Sequence, residues 1–207
     1  MNEINPLVNL LEPNTPRILI AIPSLDFVHY RFVECLTELQ KHALETGLDV
    51  TIKFDGGTLV HIAREHLARH AIDNQYSHIF WLDADITFPR STLHMLLNEQ
   101  KDFITGIYRA RREPYSYTLF RKQGTWEKYT DIPGGTFEIA GCGFGCVLTA
   151  TRLLRDSMDL FNTCFMPVEG IGEDLCFCER MTRMKEPMYA HSGIRCGHIA
   201  HQIITAY

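Results

Sequence analysis

The sequence predicts an α/β fold, one mixed sheet flanked by helices in a single domain, and three observations carry that expectation. Apolar runs at residues 18–22, 50–54, 79–82 and 103–108 alternate with stretches whose apolar residues recur at helical spacing, the pattern of parallel strands joined by helices. Past residue 108, runs at 115–120, 136–140 and 145–150 follow one another with no long helix between them, so antiparallel strands must join the sheet. With 207 residues, 45% of them apolar, the chain can bury one sizeable core, and no Pro/Gly/Ser-rich linker divides it.

Each element has its own signal. Residues 1–16 are polar, carry Pro6, Pro13 and Pro16, and read as a loosely held lead-in to a domain spanning 17–207. Residues 17–22 form a fully buried strand that stops at Pro23, and residues 24–29 a loop. Phe32, Leu36, Leu39 and Ala43 fall on one helical stripe ended by Gly47. A second strand at 50–54 runs into the turn residues Asp55, Gly56 and Gly57. Leu59, Ala63 and Leu67 mark a second helix that runs to residue 72. Ile79, Phe80, Trp81 and Leu82 make a third strand, followed by a helix at 91–99 and a strand at 103–108. After the later strands come a short helix at 151–157, a loop to Gly172, a helix at 173–184 and a tail holding His191 and His198.

Composition removes several function classes. A net charge of -5 argues against coating nucleic acid through charge alone, yet leaves room for a local basic patch. One such stretch exists: Arg109, Arg111, Arg112, Arg121 and Lys122 interleave with Tyr108, Tyr115, Tyr117 and Phe120. It reads either as a solvated strand-loop-strand or as a holder of phosphate-rich ligands, with Tyr115 available for stacking. No apolar run approaches the roughly 20 residues that cross a bilayer, and the start lacks a secretory layout, so a soluble cytoplasmic protein is expected. Seven scattered cysteines suit reduced thiols, and the spacings Cys142/Cys146 and Cys176/Cys178 suit structural zinc poorly.

Chemistry concentrates where strands end. Asp83-Ala84-Asp85 closes the third strand, and on a strand residues two apart point the same way, so both carboxylates could meet one cation. Two anions that close repel unless a metal or proton lies between them. Ligands of parallel α/β sheets bind outside the carboxyl ends of strands, where Pro23, Asp55, Asp83 and Asp85 all fall. Glu173-Asp174 opens a helix, which fits either simple N-terminal capping or a catalytic carboxylate, and the helix dipole there should lower basicity. Gly141, Gly143 and Gly145 run into Cys146-Val147-Leu148 and not into a helix, which rejects a dinucleotide fingerprint in favour of a loop with close backbone approach. Arg64 reads equally as a solvated helix arginine or as a group that reaches a phosphate or braces Asp83.

The ordered set of motifs resembles the metal-dependent GT-A glycosyltransferases, especially short family-2-like members often encoded by phages. Asp83-Ala84-Asp85 matches the DXD motif, residues 141–145 the glycine-rich loop, Gly172-Glu173-Asp174 the xED motif, and His198 the late histidine of the metal site. The resemblance covers residues 17–198. It implies a single-domain, Rossmann-like GT-A fold, with residues 17–108 binding the nucleotide-sugar and 109–207 binding the acceptor and carrying catalysis. Mn²⁺ or Mg²⁺ is the implied metal, held by Asp85 and His198 with Asp83 in support. Asp174 is the implied base, with Glu173 its nearest substitute. The implied donor is a UDP-linked sugar held by Pro23, Ser24, Asp55, Arg64, Asp83, Ala84 and Gly143, and inversion is the expected outcome. The acceptor is a hydroxyl, and a hydroxymethylated pyrimidine in DNA is one candidate, met by Arg109, Arg111, Arg112 and Tyr115.

Two rival readings stand beside this one. Asp83-Ala84-Asp85-Ile86-Thr87 also satisfies the motif of haloacid-dehalogenase-like phosphatases, with Asp83 as nucleophile and Asp85 as acid/base. That motif normally begins its domain, and here two α/β units precede it. A nucleotide-sugar-binding module without catalysis is the second rival.

Overall fold

Ile18, Ile20 and Ile22 face one side of the first strand, β1 (Arg17–Ser24), and Leu19 and Ala21 the other; all five are fully buried, so helices cover both faces. The structure is a computed structural model, and it describes residues 16–25 and 27–200. All of the expected lead-in at 1–16 except Pro16, together with residues 201–207, lies outside the described residues.

The first half follows the predicted alternation. After β1 come α1 (Tyr30–Glu45), β2 (Asp49–Gly56), α2 (Val60–Asp73), β3 (His78–Leu82), a two-residue β4 (Ile86–Thr87), α3 (Thr92–Asn98) and β5 (Phe103–Ile107). The second half contributes β6 (Leu119–Gln123), β7 (Thr125–Lys128), β8 (Thr136–Ile139), β9 (Gly141–Cys142), β10 (Cys146–Ala150), α4 (Thr151–Phe161), α5 (Glu173–Met184), β11 (Met188–Arg195) and β12 (Gly197–His198).

The main sheet has seven strands in the order β2-β1-β3-β10-β5-β11-β8. Strands β2, β1, β3, β5 and β11 run in one sense, and β10 and β8 run against them. Their carboxyl ends, together with the amino end of β10, therefore open on one edge. On one face the core packs Ile20, Phe80, Leu82 and Ile104 with Phe32, Leu36 and Leu39 of α1 and Leu93 and Leu96 of α3. On the other, Trp81, Phe103, Phe144, Phe165 and Phe177 form an aromatic cluster; Trp81 meets Phe165 edge-on at 5.1 Å, and Phe165 stacks on Phe177 at 5.0 Å. Such pairs add about 0.5–1.5 kcal/mol each beyond area burial.

Three expectations need correction. Residues 115–118 are not strand: Tyr115 is left-handed (φ 50°), its N–H bonds Arg112 O, and Tyr117 makes a single bridge with Arg109. The aromatic alternation there belongs to a hairpin loop, and the pairing strand starts at Leu119. The short helix predicted at 151–157 extends to Phe161, because Leu153, Leu154 and Ser157 keep one face buried until left-handed Asn162 ends it. What the sequence offered as a tail is β11, which pairs with β5 inside the main sheet, and β12.

Candidate functional site

Where the strand ends gather, the surface sinks into a cleft of about 730 Å³. Pro23 and Ser24 line it from β1, Arg64 from α2, Asp83, Ala84 and Asp85 from beyond β3, and Glu173 and Asp174 from α5. Gly143, His198, Arg111 and Arg112 complete the part that bears on chemistry. Asp55 is not among the lining residues; its carboxylate faces His66 Nδ1 at 3.4 Å. Arg109 and Tyr115 line a neighbouring cleft of about 810 Å³ that shares Tyr108, Arg111 and His198 with the first.

The two aspartates do not act as strand neighbours. Strand pairing of β3 ends at Leu82, Asp83 N–H bonds Gly145 O at 3.2 Å, and Ile86 N–H turns back to Asp83 O at 3.1 Å. A turn thus separates the side chains that a continued strand would have set side by side. Asp83 Oδ1 accepts from Arg64 Nη2 at 2.7 Å, whereas Asp85 Oδ2 accepts from Arg111 Nη1 at 2.6 Å.

Arg64 is 2% exposed and divides its charge, since Nη1 also reaches Glu173 Oε1 at 2.7 Å. The guanidinium lies over the Phe144 ring at 5.4 Å, which joins the aromatic cluster to the floor of the cleft. Its Nε is buried without a hydrogen-bond partner among the described residues. Glu173 is therefore committed to an ion pair. Asp174 is not: among the described residues its side chain takes one hydrogen bond, from Leu175 N–H, 2.8 Å away. Burial pushes the Asp174 carboxyl above its ordinary value, the charge of Glu173 pushes it further, and the Leu175 N–H offsets part of the rise. Desolvation thus outweighs the lowering of basicity expected at a helix start.

His198 reaches the site through a small second sheet. Strand β12 pairs antiparallel with β4, setting His198 opposite Ile86, and Ile199 N–H bonds Asp85 O at 2.8 Å. Gly197 gives that pairing room, because a Cβ there would meet Thr87 Oγ1 unless the threonine side chain moved. His198 Nδ1 lies 2.9 Å from Arg109 O; a carbonyl only accepts, so Nδ1 carries the proton. That leaves Nε2 facing Asp85 Oδ2 at 3.3 Å. The hydrogen bond to Asp85 raises the His198 pKa, burial works against it, and the Arg109 carbonyl adds to the rise. Burial tends to raise Asp85, but His198 and Arg111 outweigh it and hold the carboxyl below its ordinary range.

Tyr108, read from the sequence only as one aromatic of the basic stretch, lines the cleft itself. Its buried hydroxyl accepts Gly145 N–H at 2.9 Å, and a Cβ on Gly143 would come within 2.5 Å of it. The glycines thus make room for Tyr108 itself, a tertiary contact that spacing does not reveal.

Among the described residues no cluster of three or more His, Cys, Asp or Glu side chains forms a preformed metal cage. A carboxylate oxygen and an imidazole nitrogen do converge, with the imidazole oriented from behind by a backbone carbonyl, as metal-binding histidines are. The chemistry of this pair is compatible with a hard divalent ion, but it supplies two donors only, so any further ligands would have to come from outside the described residues. No helix of the described residues is long and apolar enough to cross a membrane.

Neither a protein-family model nor a curated protein matches the sequence. Among solved structures the chain is similar to A197 from STIV, with a TM-score of 0.62 and 20% identity over 92% of this chain and 97% of that one. It is also similar to GalNAc-T7 with UDP, GalNAc and Mn²⁺, with a TM-score of 0.61 and 9% identity over 91% of this chain and 44% of that one. At such identities the likeness is one of fold: an α/β domain with a mixed sheet flanked by helices, consistent with a Rossmann-like/GT-A-type architecture.

Proposed function

We propose that this chain transfers a sugar from a nucleoside-diphosphate donor, UDP-linked, to an acceptor hydroxyl with the help of a divalent cation. The observation that carries the reading is the convergence of Asp85 Oδ2 and His198 Nε2, 3.3 Å apart, in the same cleft as Asp174 at the carboxyl ends of the parallel strands. The similar fold of GalNAc-T7, solved with UDP, GalNAc and Mn²⁺, supports the choice of donor and metal.

In this reading Asp85 and His198 hold the cation. A cation held there would supply positive charge against the negative charge that builds on the leaving diphosphate. Asp174 accepts the proton of the acceptor hydroxyl as the oxygen attacks the anomeric carbon. The new C–O bond forms opposite the one that breaks, whose electron pair leaves with the diphosphate, so the configuration inverts. Glu173, tied to Arg64, is a positioning residue; Arg64 also holds Asp83 at the turn. The acceptor is a hydroxyl group, for which the arginine- and tyrosine-bearing loop at 109–117 makes a hydroxymethylated pyrimidine a candidate.

Asp83 as a phosphatase nucleophile is disfavoured, because the buried guanidinium of Arg64 occupies its Oδ1 at 2.7 Å. A thermal-shift panel of nucleotide-sugars with and without Mn²⁺ tests the proposal, since a ligand of the folded form raises the melting temperature. The expected result is a shift with a UDP-sugar that needs Mn²⁺, followed by UDP release on turnover. No shift with any nucleotide-sugar, or free phosphate released from small phosphoesters, would overturn it.

A further inference from the structure

Arg111 sits at the tip of the loop between β5 and β6, beyond the rung where Arg109 bridges Tyr117 and Ala110 N–H bonds Ser116 O. Its Nη1 donates to Asp85 Oδ2 at 2.6 Å, the same oxygen that faces His198 Nε2. A cation held by that carboxylate and that imidazole must share the oxygen with a fixed positive charge. At such separations like charges repel by several kcal/mol even at an effective dielectric of about 20. The Arg111 side chain is 52% exposed and tethered only through a loop tip, so it can leave without disturbing the sheet. It also lines the cleft in which the donor diphosphate would lie, beside Arg112.

We propose that Arg111 is a resident counter-cation exchanged for the metal: it neutralises Asp85 in the free protein, and when the cation arrives it swings to the donor diphosphate. This rests on the sugar-transfer reading above and adds to it a residue that couples the two ligands. Asp85 is never left uncompensated in such a cycle. The planar guanidinium, released, presents paired N–H donors that match phosphate oxygens. Cation and nucleotide then bind cooperatively, and by linkage each raises the affinity for the other by the same factor. An Arg111 with a merely structural role would do the opposite on removal, loosening Asp85 and weakening the cation.

The test is Mn²⁺ binding by the full chain, followed by electron paramagnetic resonance of the free ion, with and without saturating UDP. Without UDP, Arg111→Gln is expected to bind Mn²⁺ about three- to tenfold more tightly than wild type, the scale of a partly exposed ion pair. The gain in Mn²⁺ affinity brought by UDP is expected to shrink by a similar factor in the variant. Arg111→Lys, which keeps the charge but loses the fork, should restore wild-type Mn²⁺ affinity without UDP while leaving the UDP-linked gain reduced. Unchanged or weaker Mn²⁺ binding by Arg111→Gln, with binding abolished in Asp85→Asn, overturns the exchange and leaves the metal site standing. Undiminished Mn²⁺ binding by Asp85→Asn overturns the metal site and the exchange together.

Discussion

Arg64 of α2 bonds Glu173 at the first turn of α5 across 109 residues of sequence, Nη1 to Oε1 at 2.7 Å, while its other terminal nitrogen holds Asp83. One buried cation thus sets the positions of two acidic motifs that lie far apart in the chain.

Removing that cation should be costly, because two partly buried carboxylates would face each other uncompensated. Arg64→Met is expected to lower stability by roughly 2–4 kcal/mol, below the range for fully buried pairs because Asp83 and Glu173 keep some exposure. Urea unfolding measures the loss. The triple variant Arg64→Met/Asp83→Asn/Glu173→Gln should recover most of it, since the charges are removed with their partner. A triple variant as unstable as the single one would show that shape and not charge balance is what Arg64 supplies.

Tyr108 offers a second stability test. Its hydroxyl is the acceptor for the buried Gly145 N–H, and Tyr108→Phe leaves that donor without a partner. A loss of about 1–3 kcal/mol is expected, the desolvation cost of an orphaned backbone group. Denaturant melts of the variant read it directly, and a loss under 0.5 kcal/mol, about the scale of surface substitutions, would show that Gly145 finds another acceptor.

The parallel half was legible in the sequence because local and global signals agree there: β1 carries an unbroken apolar run from Ile18 to Ile22, and Phe32, Leu36, Leu39 and Ala43 repeat at the helical period and are all buried. Beyond Tyr108 they diverge. Tyr115 and Tyr117 look like alternating strand residues, but their order comes from Arg109, whose guanidinium stacks on Tyr117 at 4.4 Å and bonds Tyr115 O. The tail was opaque because β11 owes its place to β5, more than 80 residues earlier, and periodicity carries no information about partners. Ile86-Thr87 passed as a continuation of the Asp83–Asp85 motif, whereas it is the two-residue edge on which His198 docks.

In the proposed reading, that docking makes Gly197 a lever on cation binding through the Asp85–His198 pair. Gly197→Ala forces a Cβ against Thr87 Oγ1 and should part β12 from β4, carrying His198 away from Asp85. Mn²⁺ affinity is expected to fall about tenfold or more, the scale seen when groups that orient metal ligands are lost, with a melting temperature within a few degrees of wild type. Mn²⁺ titration of the variant checks this, and unchanged affinity would mean that His198 does not depend on the β12–β4 pairing.

Asp174 joins function to pH. Burial raises its carboxyl above the ordinary 3.8 in the folded chain, so the folded state holds that proton more tightly than the unfolded chain does. Below pH 3.8 the group is protonated in both states and contributes nothing. As pH rises from there through the folded value, the wild type must ionise a poorly solvated carboxyl and loses stability. Asp174→Asn escapes this loss, and its amide oxygen can still accept from Leu175 N–H. The variant should therefore melt above wild type at neutral pH, with the gap closing as pH falls toward the ordinary carboxylate range. Turnover should drop by about 10²–10⁴ while nucleotide binding persists, as expected for loss of a general base. A melting gap that widened on acidification would reverse the sign of the Asp174 shift, and unchanged turnover would remove Asp174 from the role of base.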